Sequence, residues 1–242
     1  MKRNFGFLWT VWLVLIFPAF ASGYEEIVVS NGGSIRGTVK LQGPAPKLPL
    51  LEVLKFKDVC KNVPNESLVV GPREGIRYGV VILEGIAKGK PVEKEVVHEL
   101  DNVKCRFVPH VQAASVGQFV VVKNSDPILH TAHAYFQDSQ PQFNVGLYPG
   151  KVSRKPLVGA GLVKIRCEVH PWMSAYIMVT DHPYHAVTDV YGEYEISDIP
   201  PGNYRLKLWH ELLGTQEKTV EVKGGAISKV DFTLAAPKGV KK

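Results

Sequence analysis

Helical periodicity is almost absent from this chain of 242 residues. Apolar residues do not recur at the three- and four-residue intervals that line one face of a helix, which argues against a helical fold. Basic clusters are lacking too. The 29 Lys and Arg exceed the 23 Asp and Glu only slightly, and they are scattered rather than interleaved with aromatics, so no nucleic acid partner is suggested. No Ser-His-Asp signature, phosphate-cradling glycine loop or paired-carboxylate motif stands out, and the common catalytic chemistries are left without candidates. After the first two dozen residues, no run is long and apolar enough to span a bilayer.

The chain does begin with a targeting pattern. Met1-Lys2-Arg3 is a short positive start, an apolar run extends from Phe5 to Phe20, and Ala19-Phe20-Ala21 offers a cleavage site. Residues 1–21 are therefore expected to be a signal peptide, with periplasmic or secreted localisation; an uncleaved anchor is the alternative. Cleavage leaves 27 basic and 23 acidic residues, a formal +4. No Cys lies near the site, which speaks against a lipid-anchored form. All three cysteines, Cys60, Cys105 and Cys167, survive cleavage. An odd count in an exported chain implies one pair and one thiol left over. Cys60 and Cys105 lie in ordinary polar surroundings and are free to form the disulfide, which leaves Cys167 for another task.

Short Val/Ile-rich runs bounded by Gly, Pro, Asn and Asp dominate the rest, the pattern of β-sandwiches. The expected division is a leading strand and Pro-rich arm over 22–77, a first β-domain over 78–181, a second over 184–236, and a basic tail over 237–242. The leading run Gly33-Ser-Ile-Arg-Gly-Thr-Val could equally pair with the last domain, which would make the first an insertion.

The chemistry concentrates in Cys167-Glu-Val-His170-Pro-Trp-Met173, a thiol, an imidazole and a thioether within seven residues. Val163 and Ile165 alternate with Lys164 and Arg166, so a period of two puts Cys167 on their buried face at a strand end. Pro171 makes a continuing helix improbable, so residues 168–173 form a loop and Ala175 begins a return strand. Such a loop can aim Cys167, His170 and Met173 at one point. A fourth ligand must come from elsewhere, and His130 is the first choice, with His133 in reserve. A lone inward Cys is most often a small hydrophobe and a lone Met most often core, but the combination with an upstream His-x-x-His favours a site. Two histidines and a thiolate with a weak axial thioether form the blue-copper set. Zinc rarely takes a thioether, so Met173 argues against it. One copper ion, cycling between Cu(I) and Cu(II), is the expected cofactor.

These motifs resemble the copper loops of the cupredoxins, of the amicyanin type, over about residues 105–181. The wider run Phe107-Val-Pro-His-Val, Asn124-Ser-Asp-Pro and Val179-Thr-Asp-His-Pro-Tyr resembles exported cupredoxin-like proteins of the methylamine-utilisation type. The resemblance implies a cupredoxin-like Greek-key β-sandwich with His130, Cys167, His170 and Met173 as ligands. One departure touches the potential: Thr131 stands where an Asn commonly follows the first ligand His in the small blue-copper proteins, and bonds near the thiolate tune a copper site. Trp172 is expected to shield the ion, and the edge of His170 to be exposed as an electron port within a docking surface. His110 is read as structural, and His182 and His185 as polar turn residues.

Thr188-Asp-Val-Tyr-Gly192-Glu-Tyr194 and Ile199-Pro-Pro-Gly-Asn-Tyr204 are similar to the carboxypeptidase regulatory-like, transthyretin-like β-sandwich over residues 184–236. Such modules carry many functions, and related sandwiches bind carbohydrate, which leaves open a carbohydrate or cell-surface contact here. Trp209 is the one aromatic that could serve it, and its face is not assigned; Trp209-His210-Glu211 reads as structural rather than as a second small site. The chain is thus expected to be all-β and not an enzyme, since a four-ligand mononuclear site offers substrate no open position. The leading function is single-electron transfer with a periplasmic redox partner. The runners-up are a copper carrier or store served by a copper donor, and a surface-binding module with a vestigial metal site.

Overall fold

The computed structural model describes residues 23–137 and 139–237. The leader expected over 1–21 lies outside them, as does the tail expected over 237–242 except for Pro237. The described chain is all-β, with one short 3-10 turn at Pro72–Glu74 and no helix long and apolar enough to cross a membrane.

Two sandwiches share the chain. In the first, one sheet runs Val152–Pro156, Phe119–Asn124, Val97–Asn102, Phe107–Val108, and the facing sheet runs Gln140–Leu147, His130–Phe136, Gly161–Arg166, Ser174–Thr180, Val111–Ser115. Strand Phe119–Asn124 buries Val120, Val122 and Asn124 and turns Val121 and Lys123 away, the alternation expected of a sheet with one face on the core. Across from it, Val163, Ile165, Ala175 and Ile177 complete the same core.

The second sandwich is assembled from distant pieces. One sheet runs His185–Val187, Val80–Glu84, Gly202–His210, Gly214–Val222, and the other centres on Gly33–Gln42, paired with Glu193–Ile199, Ile227–Lys229 and Phe232–Ala235. The leading strand therefore belongs to the C-terminal sandwich. The expected boundary at residue 78 is corrected as well, because Val80–Glu84 pairs with Arg205–Trp209 and not with the first domain. The first sandwich is inserted between Val80–Glu84 and His185–Val187. Asp189 closes the turn into Glu193–Ile199, and Gly192 is required there. Its φ is +74°, and a β-carbon would collide with the Val39 carbonyl oxygen.

Strand Val80–Glu84 reads as an unbroken apolar run up to Leu83 because both its faces are covered there. Val81 and Leu83 enter the second core, while Val80 and Ile82 join Tyr78, Val111, Tyr176 and Trp209 between the sandwiches. Trp209 packs on Tyr176 with ring centroids 5.5 Å apart, so it lies in this seam and is no open platform. His110 is buried there, bonded to the Ser174 carbonyl oxygen at 3.1 Å and to Glu211 at 2.5 Å. His182 is buried and accepts the Tyr184 N–H at 3.2 Å, and His185 opens a strand; neither is a free turn residue.

The Pro-rich segment 43–68 crosses from one sandwich to the other as an extended arm. Leu48 packs on the second core, and Leu51, Val53, Val59 and Val63 pack on the first. Cys60 is disulfide-bonded to Cys105, with Cα atoms 5.4 Å apart. Cys167 is the free thiol.

Candidate metal centre

Cys167 stands at the end of strand Gly161–Arg166, and the chain returns at Ser174, which pairs with Arg166. The intervening loop closes on itself: the Met173 N–H donates to the His170 carbonyl oxygen at 2.9 Å and the Cys167 N–H to the Met173 carbonyl oxygen at 3.4 Å. Pro171 supplies a fixed φ and no donor in this turn. The closure turns Cys167, His170 and Met173 inward, and each is at most 2 % exposed.

His130 opens the neighbouring strand His130–Phe136. In that strand His130, Ala132 and Ala134 are buried, while Thr131 and His133 face the other way. A period of two thus separates the two candidates, since positions three apart lie on opposite faces. His133 bonds Glu168 at 2.7 Å and the Tyr135 hydroxyl at 2.7 Å, away from the cluster.

The His130 Nδ1 lies 3.9 Å from the Cys167 sulfur and the His170 Nδ1 lies 3.6 Å from it. One ligand atom from each of the three residues fits within a 4.8 Å span. Around one ion, with nitrogen and sulfur bonds of about 2.0 and 2.3 Å at about 120°, the nitrogen–sulfur separation is about 3.7 Å. The donor set therefore fits a trigonal metal centre. Met173 is buried in the same core beside it. Asp126, His130 and Cys105 form an overlapping cluster, but the Cys105 sulfur is committed to the disulfide and cannot act as a thiolate.

Electrostatics prepare the sulfur. Burial pushes the Cys167 thiol up, but hydrogen bonds with His130, with His170 and from the Thr131 N–H outweigh it and hold the thiol down at about 5. The thiolate, which is the form that binds metal, is thus available near neutrality. Thr131 contributes through its amide, 3.3 Å from the sulfur, and its side-chain oxygen accepts the Glu168 N–H at 2.7 Å.

The expected exposed edge of His170 is not found. The ring is 0 % exposed, and its Nε2 is buried without a hydrogen-bond partner. Trp172 covers it with centroids 5.0 Å apart, and Phe56 of the arm covers it from another side at 5.3 Å. The Trp172 N–H donates to the Cys105 carbonyl oxygen at 3.2 Å, tying this cover to the disulfide. Phe56 was invisible to sequence reasoning, because nothing local links residue 56 to residue 170. Asp126, bonded to His130 Nε2 at 3.1 Å, belongs to the turn motif Asn124-Ser-Asp-Pro, whose spacing alone does not link it to the ligand.

No family model and no curated protein matches the chain. Among solved structures, it is similar to a purple cupredoxin from Nitrosopumilus maritimus, at 19 % identity and TM-score 0.32 over 34 % of this chain and 99 % of that one. A Cu-containing nitrite reductase from Thermus scotoductus gives 25 % identity and TM-score 0.33 over 35 % of this chain and 22 % of the enzyme. An oxidised proline-to-glycine mutant of amicyanin gives 16 % identity and TM-score 0.32 over 48 % of this chain and 95 % of amicyanin.

Proposed function

We propose that this chain is an exported copper protein of the blue, type 1 class that carries single electrons. The observation behind this reading is the buried Cys167 sulfur set between the Nδ1 atoms of His130 and His170 at 3.9 and 3.6 Å. His130, Cys167 and His170 would hold one copper ion, with Met173 as a weak fourth ligand. Copper there supplies one-electron cycling between Cu(I) and Cu(II). The protein contributes a rigid frame. The loop's own hydrogen bonds fix His170 and Met173, strand pairing fixes His130 against Leu147, and the Thr131 amide steadies charge on the sulfur. Burial keeps water away and leaves no position open for substrate. The Cys60–Cys105 disulfide supports an oxidising compartment, consistent with cleavage after Ala21 and a periplasmic redox partner.

A second reading, a copper carrier or store, is favoured by one observation. The His170 ring lies beneath Phe56 and Trp172, and a covered ligand suits retention better than rapid electron exchange.

An optical titration tests the first reading. Copper should bind one per chain and give an intense visible thiolate-to-copper band, which Cys167→Ser should abolish because a hydroxyl is a far harder ligand. Copper bound without that band would favour the storage reading; the same band surviving in Cys167→Ser would sink both.

A further inference from the structure

The arm presents an apolar finger to solvent. Leu51 and Val53 pack on the first core, while Leu50, Glu52, Leu54 and Phe56 are exposed. A period of two in extended backbone produces this division. Leu50, Leu54 and Phe56 are 57, 60 and 48 % exposed, and nowhere else among the described residues do three exposed large apolar side chains fall within seven positions. Such clustering marks a surface that meets something other than water. The finger is held in place by its own backbone. The Leu51 N–H donates to the Val63 carbonyl oxygen at 2.9 Å, and the Val59 and Cys60 N–H groups donate to the Phe56 carbonyl oxygen at 2.9 and 2.8 Å. The chain therefore doubles back over Phe56–Cys60, with Phe56 at the tip and the disulfide at the base. Phe56 has φ of 54°, a left-handed conformation that strains the backbone of a bulky residue and is found mostly where function requires it.

The charge around the finger has one sign in excess. Lys55, Lys57 and Lys61 are exposed on it, and Lys104 is exposed beside Cys105, the disulfide partner of Cys60. Among the described residues none of the four is ion-paired. Glu52 and Asp58 are the acidic residues of the same stretch, two against four.

We propose that this finger docks the protein on an anionic lipid surface, with Leu50, Leu54 and Phe56 entering the headgroup region and the lysines meeting lipid phosphates. Leucine and phenylalanine bury apolar area there, and lysine stems lie along that area while their ammonium groups stay at the headgroups. A protein partner suits the composition less well, because the cores of protein interfaces are depleted in lysine and enriched in arginine, tyrosine and tryptophan. Neither the three apolar side chains nor the modest net charge is enough alone, and reversible docking uses both. The docking is independent of copper. It sets the ligand loop against the membrane, since the Phe56 ring lies 5.3 Å from that of His170.

Co-sedimentation with phosphatidylcholine vesicles, with and without phosphatidylglycerol, tests this on the protein without residues 1–21, the form expected after export. Binding should require phosphatidylglycerol and should fall as salt is raised. Leu54→Ser should weaken it by about tenfold. Lys55→Gln with Lys57→Gln should weaken it by about thirtyfold, from about fivefold for each lysine. These side chains are exposed, so urea midpoints should stay unchanged, which separates lost docking from lost folding. No binding to the anionic vesicles at low salt overturns the proposal, and so does binding that either variant leaves undiminished. Soluble polyglutamate is the competing probe: binding to it with none to vesicles would assign the finger to an acidic protein and overturn the lipid reading.

Discussion

Replacing both members of the disulfide, Cys60→Ala with Cys105→Ala, should separate what the arm contributes by being tethered from what it contributes by being packed. The bridge spans 45 residues of sequence. In the chain-entropy account, closing a loop of that length removes about 13 cal/mol/K from the unfolded ensemble, or about 4 kcal/mol at 25 °C. The arm should nevertheless stay docked, because Leu51, Val53, Val59 and Val63 remain packed on the first core, and a fully buried aliphatic such as Val63 is worth about 1.5–3 kcal/mol. The variant is therefore expected to fold and to lose about 4 kcal/mol. Urea unfolding followed by tryptophan fluorescence reads this, since the Trp172 ring N–H is bonded to the Cys105 carbonyl oxygen. The urea slope should also rise, because an unfolded chain without the bridge exposes more surface. A loss below about 1 kcal/mol with an unchanged slope would refute the entropic tether, and outright failure to fold would refute the independent docking of the arm.

Three further outcomes follow from the geometry. Phe56→Ala should speed the removal of Cu(I) by a small chelator several-fold with little change in the optical spectrum, because Phe56 covers His170 without ligating; an unchanged rate would mean the arm is no cover. His130→Ala should lose copper while His133→Ala keeps it, as measured by bound metal after gel filtration, and the reverse result would overturn the face assignment. His210 is 2 % exposed, and burial, with His110 adding to it and Glu211 opposing, pushes its pKa down to about 4. Because the folded value lies below the unfolded one of about 6.5, its contribution is complete above about 6.5 and disappears as pH falls toward 4. The total is about 3 kcal/mol at about 1.4 per unit. His210→Gln should flatten denaturation midpoints over that range, and an equally steep variant would place the acid sensitivity elsewhere.

How far the sequence alone reached depends on the distance over which each feature is encoded. Local signals carried the strands: alternation marked Gly161–Arg166, the turn residues Asp189 to Gly192 and Pro200 to Asn203 marked the crossings between the two sheets of the second sandwich, and Cys167-Glu-Val-His170-Pro-Trp-Met173 marked the loop that gathers three inward side chains. An odd cysteine count, together with Cys167 standing in the ligand loop, pointed to the Cys60–Cys105 pair. Period two could also have ranked His130 above His133, since the Ala residues at 132 and 134 share a face with His130.

Tertiary structure decided what depends on contacts between distant segments. Val80–Glu84 shows no alternation because it is buried on both faces, so its sequence could not say which sandwich it joins; pairing with Arg205–Trp209, more than a hundred residues on, settles it. Trp209 took its place from Tyr176 across the seam. The cover on His170 and the carboxylate behind His130 arise because the arm, the Cys105 peptide and the turn at Asp126 meet around one loop. A ligand motif names the atoms that can bind a metal, since that chemistry is intrinsic to the side chains. Which of those atoms are shielded is set by neighbours that only the folded chain brings together.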